Sequence, residues 1–296
     1  MASKKDIRNV AKNITSNISK DWVHISEEEF AKIRSLVYNK IGINLTEQKK
    51  TLLMGRLQKI LRLKNFENFS EYYDSLIADK SGKEISELAN HISTNHTFFW
   101  RENDHFEYFL NVALPEIKAR LLDSRTNDIR IWSAGCSSGE EPYMLVMLMM
   151  EYFKNEYSKL NAGLLATDIS EKALGTALRG VYAHERIKET PKVLVKKYFT
   201  KTEEDKYLVI DKVKKEVTYR RFNLMNKVFP FKKKFDIIFC RNVMIYFDDP
   251  TRETLVQKFS DLLVPGGYLF IGHSETINKQ KIKTLKFVSP ALYQKV

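Results

Sequence analysis

One stretch limits the folds open to this chain: Trp132-Ser133-Ala134-Gly135-Cys136-Ser137-Ser138-Gly139-Glu140-Glu141-Pro142-Tyr143. The run Ile129-Arg130-Ile131-Trp132 before it reads as a buried strand, and a long apolar helix begins near Pro142. Glycines between the two let the backbone turn sharply and let a ligand come close, because no Cβ intervenes. Strand, glycine turn and helix in that order are how open α/β sheets bind nucleotide-like ligands at the carboxyl edge of the first strand. The spacing is Gly-x-x-x-Gly rather than G-x-G-x-x-G, and no Lys-Ser/Thr pair follows, which argues against dinucleotide and phosphate-loop ligands. Glu140 and Glu141 stand where a phosphate would want N–H groups and positive charge. A cationic or hydroxyl-bearing ligand suits them better, against the plainer alternative of a structural βα turn.

The next strand narrows the choice. Leu164-Leu165-Ala166-Thr167 is apolar and ends in Asp168-Ile169-Ser170. An acid at the tip of the second strand can accept both hydroxyls of a ribose. Asp168 or Ser170 could equally cap the helix that opens at Glu171. Taken with the glycine turn, Asp168 favours a nucleoside ligand.

Composition sets outer bounds. At 296 residues, with 43% apolar and 12% aromatic content, the chain is long and apolar enough for one large domain or two smaller ones. A formal charge of +12 favours acidic partners without choosing among nucleic acid, anionic membrane and protein. The two cysteines, Cys136 and Cys240, form no Cys/His cluster, so no metal site is expected and a reducing compartment is. No leader is apparent after Met1, and the apolar run Met144–Met150 falls short of the ~20 residues that cross a bilayer. The expectation is a soluble cytoplasmic protein.

In chain order, residues 1–24 read as a flexible tail. Ser26 and Glu29 form a capping box, and Phe30, Ile33 and Val37 share a face of the helix that follows. A second helix, about Glu47 to Leu63, carries the apolar stripe Leu53, Leu57, Ile60 and Leu61. Beside it Arg56, Lys59 and Arg62 recur every third residue, either a solvated face or a docking surface for an acidic helical partner. Shorter helices near Ser70–Ala78 and Lys83–His91 complete an all-α region over 25–92. The stretch 93–128 reads as a linker with helices that contributes to the ligand site, and the run His91 to Glu102 at its start is dense in hydroxyl, amide, imidazole and aromatic groups, with one arginine. After Asp168 comes a helix with Ala173, Leu174, Ala177 and Leu178, ending at Gly180. Short strands at Tyr198–Thr200, Tyr207–Ile210 and Val217–Tyr219 predict an antiparallel meander inserted at about 192–221. The strand Phe235–Cys240 leads into Arg241-Asn242-Val243-Met244-Ile245-Tyr246-Phe247. A helix is expected with Asp249 as cap and Pro250 in its first turn. A strand over Tyr268–Ile271 and one last strand, about Lys286 to Tyr293, close the sheet.

With these pieces in place the chain closely resembles the CheR family of chemotaxis receptor methyltransferases. The likeness rests on Thr97-Phe98-Phe99 with Arg101-Glu102, on Ser138-Gly139-Glu140-Glu141-Pro142-Tyr143 and on Cys240 to Phe247, and extends over nearly everything beyond residue 25. Trp100 departs from the usual Phe-Phe-Arg-Glu order. The resemblance implies a class I S-adenosylmethionine methyltransferase: a Rossmann-like α/β fold with a seven-stranded sheet over 129–296, an N-terminal all-α domain that docks receptors, and an inserted β-subdomain. It implies S-adenosyl-L-methionine as cofactor, held by Asn95, Thr97, Arg101, Glu140, Asp168, Asn223, Leu224, Arg241 and Asn242. Arg101 and Tyr246 fall near the transferred methyl, and Arg56, Lys59 and Arg62 on the receptor-docking face. The implied reaction is esterification of glutamate side chains on the cytoplasmic helical bundle of chemoreceptors, by a monomer associated with receptor arrays at the inner membrane. A receptor C-terminal tail at the β-subdomain is a further implied partner; nucleic acid and membrane insertion are not.

Three other readings differ in what they require. A nucleic-acid or small-molecule methyltransferase would suit the basic charge, but no Asn-Pro-Pro-Tyr-like motif follows the central strand. An adaptor that binds S-adenosylmethionine without turnover would have no use for Arg101 and Tyr246, and both are present. Another acidic protein remains an alternative substrate.

Overall fold

The computed structural model describes residues 22–93, 96–278 and 280–296. The expected tail therefore lies almost wholly outside the described residues, as does Asn95. Two compact units emerge. One runs to Lys40 and again over Asn44–Ile92; the other comprises Ile41–Ile43 and Ser93–Val296.

The first unit is helical: α1 (Glu27–Ile41), a short 3-10 turn (Glu47–Lys49), α2 (Lys50–Lys64), α3 (Phe69–Ala78) and α4 (Lys83–Ile92). The capping box forms as expected, with Ser26 N–H on Glu29 Oε2 at 2.9 Å and Glu29 N–H on Ser26 Oγ at 3.2 Å. Phe30, Ile33 and Val37 of α1 and Leu53, Leu57, Ile60 and Leu61 of α2 are buried, as their helical spacing requires. Asn65 closes α2 in the left-handed conformation.

The second unit begins with α5 (Asn103–Tyr108), a π-turn (Phe109–Ala113) and α6 (Leu114–Ser124), which run on as one helical stretch. Then come β1 (Asp128–Ala134), α7 (Glu140–Phe153), β2 (Asn161–Asp168), α8 (Glu171–Arg179), β3 (Val181–Ala183), α9 (His184–Ile187), α10 (Lys192–Tyr198), β4 (Phe199–Lys201), β5 (Lys206–Val209), α11 (Asp211–Lys214) and β6 (Val217–Arg221). The chain finishes with β7 (Phe235–Cys240), α12 (Asp249–Leu262), β8 (Leu263–Ile271), β9 (Leu285–Ser289) and β10 (Leu292–Lys295). The main sheet has seven strands in the order β6-β2-β1-β7-β8-β10-β9. Its first five are mutually parallel and β10 is antiparallel to both neighbours. The order reverses between β1 and β7, so ligand-binding groups belong at the carboxyl ends of β1, β2 and β7. β7 is buried along its whole length, as a central parallel strand must be.

Four expectations need correcting. The small sheet is β3-β5-β4, not a meander ending at Val217–Tyr219. Val217 and Tyr219 are buried because Val217–Arg221 pairs in parallel with Leu164–Asp168 and extends the main sheet. The third small strand is Val181–Ala183. At the C-terminus one expected strand is a hairpin, turned where Ala291 takes φ +58°. The cap of α12 is Asp248, whose Oδ1 accepts Thr251 N–H at 3.1 Å, rather than Asp249. Leu178 projects from α8 to solvent, unlike buried Ala173, Leu174 and Ala177. No helix among the described residues is long and apolar enough to cross a membrane.

Candidate active site

The glycine turn after β1 is built for close approach. Gly135 has φ +82°, and a Cβ there would lie 2.4 Å from Val243 Cγ2, so any other residue would push the tips of β1 and β7 apart. Gly135 and Cys136 N–H both donate to Thr167 O, at 2.7 and 2.9 Å, which ties the turn to β2. Ser137 N–H then donates to Asp168 Oδ2 at 2.8 Å, and Ser170 N–H to Oδ1 at 2.8 Å. Ser170 caps α8, its Oγ accepting Ala173 N–H at 2.9 Å. Asp168 is thus relieved of capping. A carboxylate has about four lone-pair positions, and only backbone donors fill those of Asp168 that the protein uses. Burial pushes this carboxyl up, and the backbone bonds pull it back. Ser137 Oγ beside it is buried with no hydrogen-bond partner. Phe222 N–H donates to Asp168 O at 3.0 Å, which carries Asn223 and Leu224 to the same tip. There Asn223 Oδ1 accepts Met225 N–H at 2.9 Å and Leu224 is buried.

The tip of β7 is organised by charge. Arg241, buried, donates through Nη1 to Glu141 Oε2 at 3.1 Å, through Nη2 to Glu102 Oε2 at 3.0 Å, and also to Arg101 O. Its guanidinium lies 5.2 Å from the Phe106 ring centroid. Asn242, at φ +59°, donates through Nδ2 to Glu102 Oε1 at 3.1 Å. Burial raises the Glu102 carboxyl, but Arg241 and Asn242 outweigh burial and hold it below its ordinary value. Glu141 also accepts Ser133 Oγ–H at 2.7 Å; burial leaves its carboxyl raised despite Arg241. Glu275, buried beyond β8, accepts N–H from Gly272 at 2.5 Å, Asn242 at 3.0 Å and Ile245 at 3.1 Å. It thereby fixes the turn that bears Tyr246, which sits half-buried in a short 3-10 segment, Met244–Tyr246. A Cβ at Gly272 would lie 2.5 Å from Asn242 Nδ2, so this approach too depends on glycine.

The segment before α5 completes the set. Trp100 and Glu102 both take left-handed backbone, φ +69° and +54°, and this double bend turns the Glu102 carboxylate toward Arg241. Trp100 stacks on Phe106 with centroids 5.4 Å apart, which gives the inserted aromatic a packing role. Arg101 donates to His96 O at 2.7 Å and has Nε 4.0 Å from Glu102 Oε1. Glu140 is fully buried, bonded by Ser138 Oγ at 2.7 Å and Arg186 Nη1 at 3.0 Å, and burial lifts its carboxyl to about 7. The structure therefore gathers Thr97, Arg101, Glu140, Asp168, Asn223, Leu224, Arg241, Asn242 and Tyr246 within one unit, at or beside the carboxyl edge of its main sheet. The basic stripe lies on α2 of the other unit. Its Lys59 and Arg62 are exposed, whereas Arg56 donates to Ile92 O at 2.5 Å and helps to close that unit.

Nothing local in the sequence marks the roles of Glu102, Glu275 and Arg186, and Glu141 stands out there only as part of the acidic turn. His105, Glu102 and His273 each offer a ligand atom within 4.8 Å of one another, and both ring nitrogens of His105 are buried without a hydrogen-bond partner, Nδ1 lying 3.7 Å from Glu102 Oε2. Burial, with Arg241 nearby, lowers its imidazole to about 4, so the ring is neutral at ordinary pH. The Arg241 guanidinium on the same Glu102 carboxylate disfavours a dication there.

The groups at the β1 and β2 tips are mainly acceptors, with several carboxylates close by. They fit a ligand that carries hydroxyls and positive charge, and a phosphate poorly. Residues 95–291 match the family described as CheR methyltransferase, SAM binding domain, and residues 28–93 its CheR methyltransferase, all-alpha domain. A chemotaxis protein methyltransferase of Borreliella burgdorferi is 45% identical over 273 residues, 92% of this chain and 96% of that protein. Its namesake from Escherichia coli is 32% identical over 257 residues, 86% of each chain. The solved N-methyltransferase NodS from Bradyrhizobium japonicum, in complex with S-adenosyl-l-homocysteine, shares 15% identity over 64% of this chain and 90% of its own, with a TM-score of 0.33. The chain belongs to the CheR methyltransferases and is an S-adenosylmethionine-dependent methyltransferase of chemotaxis.

Proposed function

We propose that this enzyme esterifies glutamate side chains on the cytoplasmic helical bundle of chemoreceptors. One observation carries the choice of a carboxylate as acceptor. At the β7 tip Glu102, Glu141 and Glu275 are already bonded, by Arg241, Asn242 and backbone N–H groups, beside the turn that bears Tyr246. Such a tip leaves these three carboxylates no role as a base. A glutamate needs none, because its carboxyl, with a reference pKa of about 4.3, is ionised at neutral pH.

S-adenosylmethionine supplies an electrophilic methyl on a sulfonium centre. Asp168 accepts from the ribose hydroxyls, Asn223 and Leu224 receive the adenine, and Asn95, Thr97, Arg101, Glu140, Arg241 and Asn242 complete the cofactor site. Arg101 and Tyr246 orient the attacking glutamate and keep water from it. Positioning of this kind is worth about 7–11 kcal/mol at best. Arg101 orients the carboxylate without neutralising it, since tight pairing would blunt the nucleophile. Lys59 and Arg62, with Arg56 behind them, form the basic face that meets the acidic receptor bundle, and the small β3-β5-β4 sheet is offered to a receptor tail. These partners put the working enzyme in the cytoplasm, at receptor arrays.

The test is methyl transfer from tritiated S-adenosylmethionine to chemoreceptor-bearing membranes, followed by mild base. Label released as volatile methanol is the expected result. Label that resists base, or that collects in nucleic acid, would overturn the assignment.

A further inference from the structure

Arg186 lies just beyond β3, outside the short motifs on which the family likeness rests. Its Nη1 donates to Thr97 O and, at 3.0 Å, to Glu140 Oε1, and its own carbonyl accepts Phe99 N–H at 2.8 Å. One residue thus grips the Thr97–Phe99 backbone from both ends and joins it to the first residue of α7. The neighbouring contacts run the same way. The Phe99 ring is fully buried edge-on against Tyr182 of β3 at 4.8 Å and Phe199 of β4 at 5.1 Å, and Tyr182 O–H donates to Ser138 O at 2.6 Å. The segment bearing Thr97 and Arg101 is therefore held between the small sheet and the glycine turn.

We propose that Arg186 is a positioning residue for cofactor binding: it clips the Thr97 backbone to Glu140 and so fixes the segment that presents Thr97 and Arg101. The proposal rests on the reading that this segment holds S-adenosylmethionine. Arginine suits the task because both bonds leave Nη1, whose two N–H groups are fixed in the guanidinium plane and so hold the carbonyl and the carboxylate at a set angle, whereas an ammonium is a point charge on a flexible stem. A simpler role would be neutralising buried Glu140, whose carboxylate faces Ser138 and Arg186.

The two roles separate when Glu140 loses its charge. Arg186→Gln is made in the wild type and in Glu140→Gln, and S-adenosylhomocysteine affinity is measured calorimetrically beside steady-state kinetics. A positioning role raises the dissociation constant about tenfold in both backgrounds, as loss of one charge-assisted hydrogen bond does. The KM for S-adenosylmethionine should follow, while the receptor KM stays within about twofold. Arg186→Lys should recover part of the affinity. An unchanged dissociation constant for Arg186→Gln in the Glu140→Gln background would overturn the proposal and leave a counterion. The Glu140→Gln background also guards against misfolding, since it leaves no buried charge unpaired. Arg101→Ala serves as the control. If it weakens binding while Arg186→Gln does not, only the positioning role falls; if Arg101→Ala is silent, the cofactor reading of the segment falls and takes the positioning role with it.

Discussion

The tips of β2 and β7 stand on either side of β1 and are built in opposite ways. At β2, Asp168 is held by backbone N–H groups, those of Ser137 and Ser170 among them, and a neighbouring hydroxyl, Ser137 Oγ, is buried with no hydrogen-bond partner among the described residues. At β7, Arg241 and Asn242 are bound side chain to side chain, with Glu102 and Glu141 closing the network and Glu275 fixing the backbone beneath. One tip keeps acceptors in reserve for a ligand. The other spends its charges within the protein and gains a rigid frame. The first suits binding, and the second suits orienting a reaction partner whose geometry must not vary.

Substitutions at β7 should therefore be felt first as lost stability. Arg241→Ala leaves the largely covered Glu102 and Glu141 without their cation and should cost about 3–5 kcal/mol in urea unfolding. A loss below about 1 kcal/mol, the range of exposed pairs, would mean that the frame is not prebuilt.

Glu140 gives the next largest effect, through pH. Burial raises its folded carboxyl from 4.5 to about 7, so the folded state holds this proton more tightly than the unfolded state does. Its contribution is fully present below the unfolded value and is lost as pH rises through about 7. Glu140→Gln should flatten the fall in stability over that window, by up to roughly 3 kcal/mol at about 1.4 kcal/mol per pH unit. Parallel stability–pH curves for the two proteins would show that Glu140 keeps its charge and that Arg186 carries more of its neutralisation.

The α2 face should show the smallest effect. Reversing Lys59 and Arg62 to glutamate is expected to raise the receptor KM by an amount that shrinks with salt, each charge worth about 0.2–1 kcal/mol, with cofactor affinity unchanged. Arg56 is best reversed separately, because its bond to Ile92 O makes it part of the unit's packing as well. Unaltered activity of the Lys59/Arg62 variant on intact receptor would make that face simple solvation.

What the sequence disclosed follows from distance along the chain. Asp168 and the glycine turn were legible because a strand, a turn and a helix start lie within a few residues and leave a local pattern. The choice between Asp168 and Ser170 as cap needed only the N–H that each accepts. Glu102 and Arg241 lie 139 residues apart, and Arg186 and Thr97 lie 89 apart. Such pairings exist only once the sheet order is known, so a charged stretch such as His184–Glu189 looks like solvated surface until folded. The strand errors share a cause. Val181–Ala183 is too short to show a period, and alternation in Val217–Arg221 reveals a strand without telling which sheet it joins. The C-terminal hairpin was hidden because its turn, at Pro290-Ala291, carries no glycine or Asn-Gly pair.

The division of labour between the two tips is tested most directly by crossing one variant from each. Asp168→Ala and Tyr246→Phe would be compared in calorimetric titration with S-adenosylhomocysteine and in methyl transfer to receptor at saturating cofactor. Asp168→Ala should weaken binding by about 1.5–3 kcal/mol with little change in kcat. Tyr246→Phe keeps the ring and removes one donor, so affinity and receptor KM should hold while kcat falls tenfold to a thousandfold, about 1.4–4 kcal/mol. A Tyr246→Phe enzyme that turns over normally, or an Asp168→Ala enzyme that binds as tightly as wild type, would contradict the division.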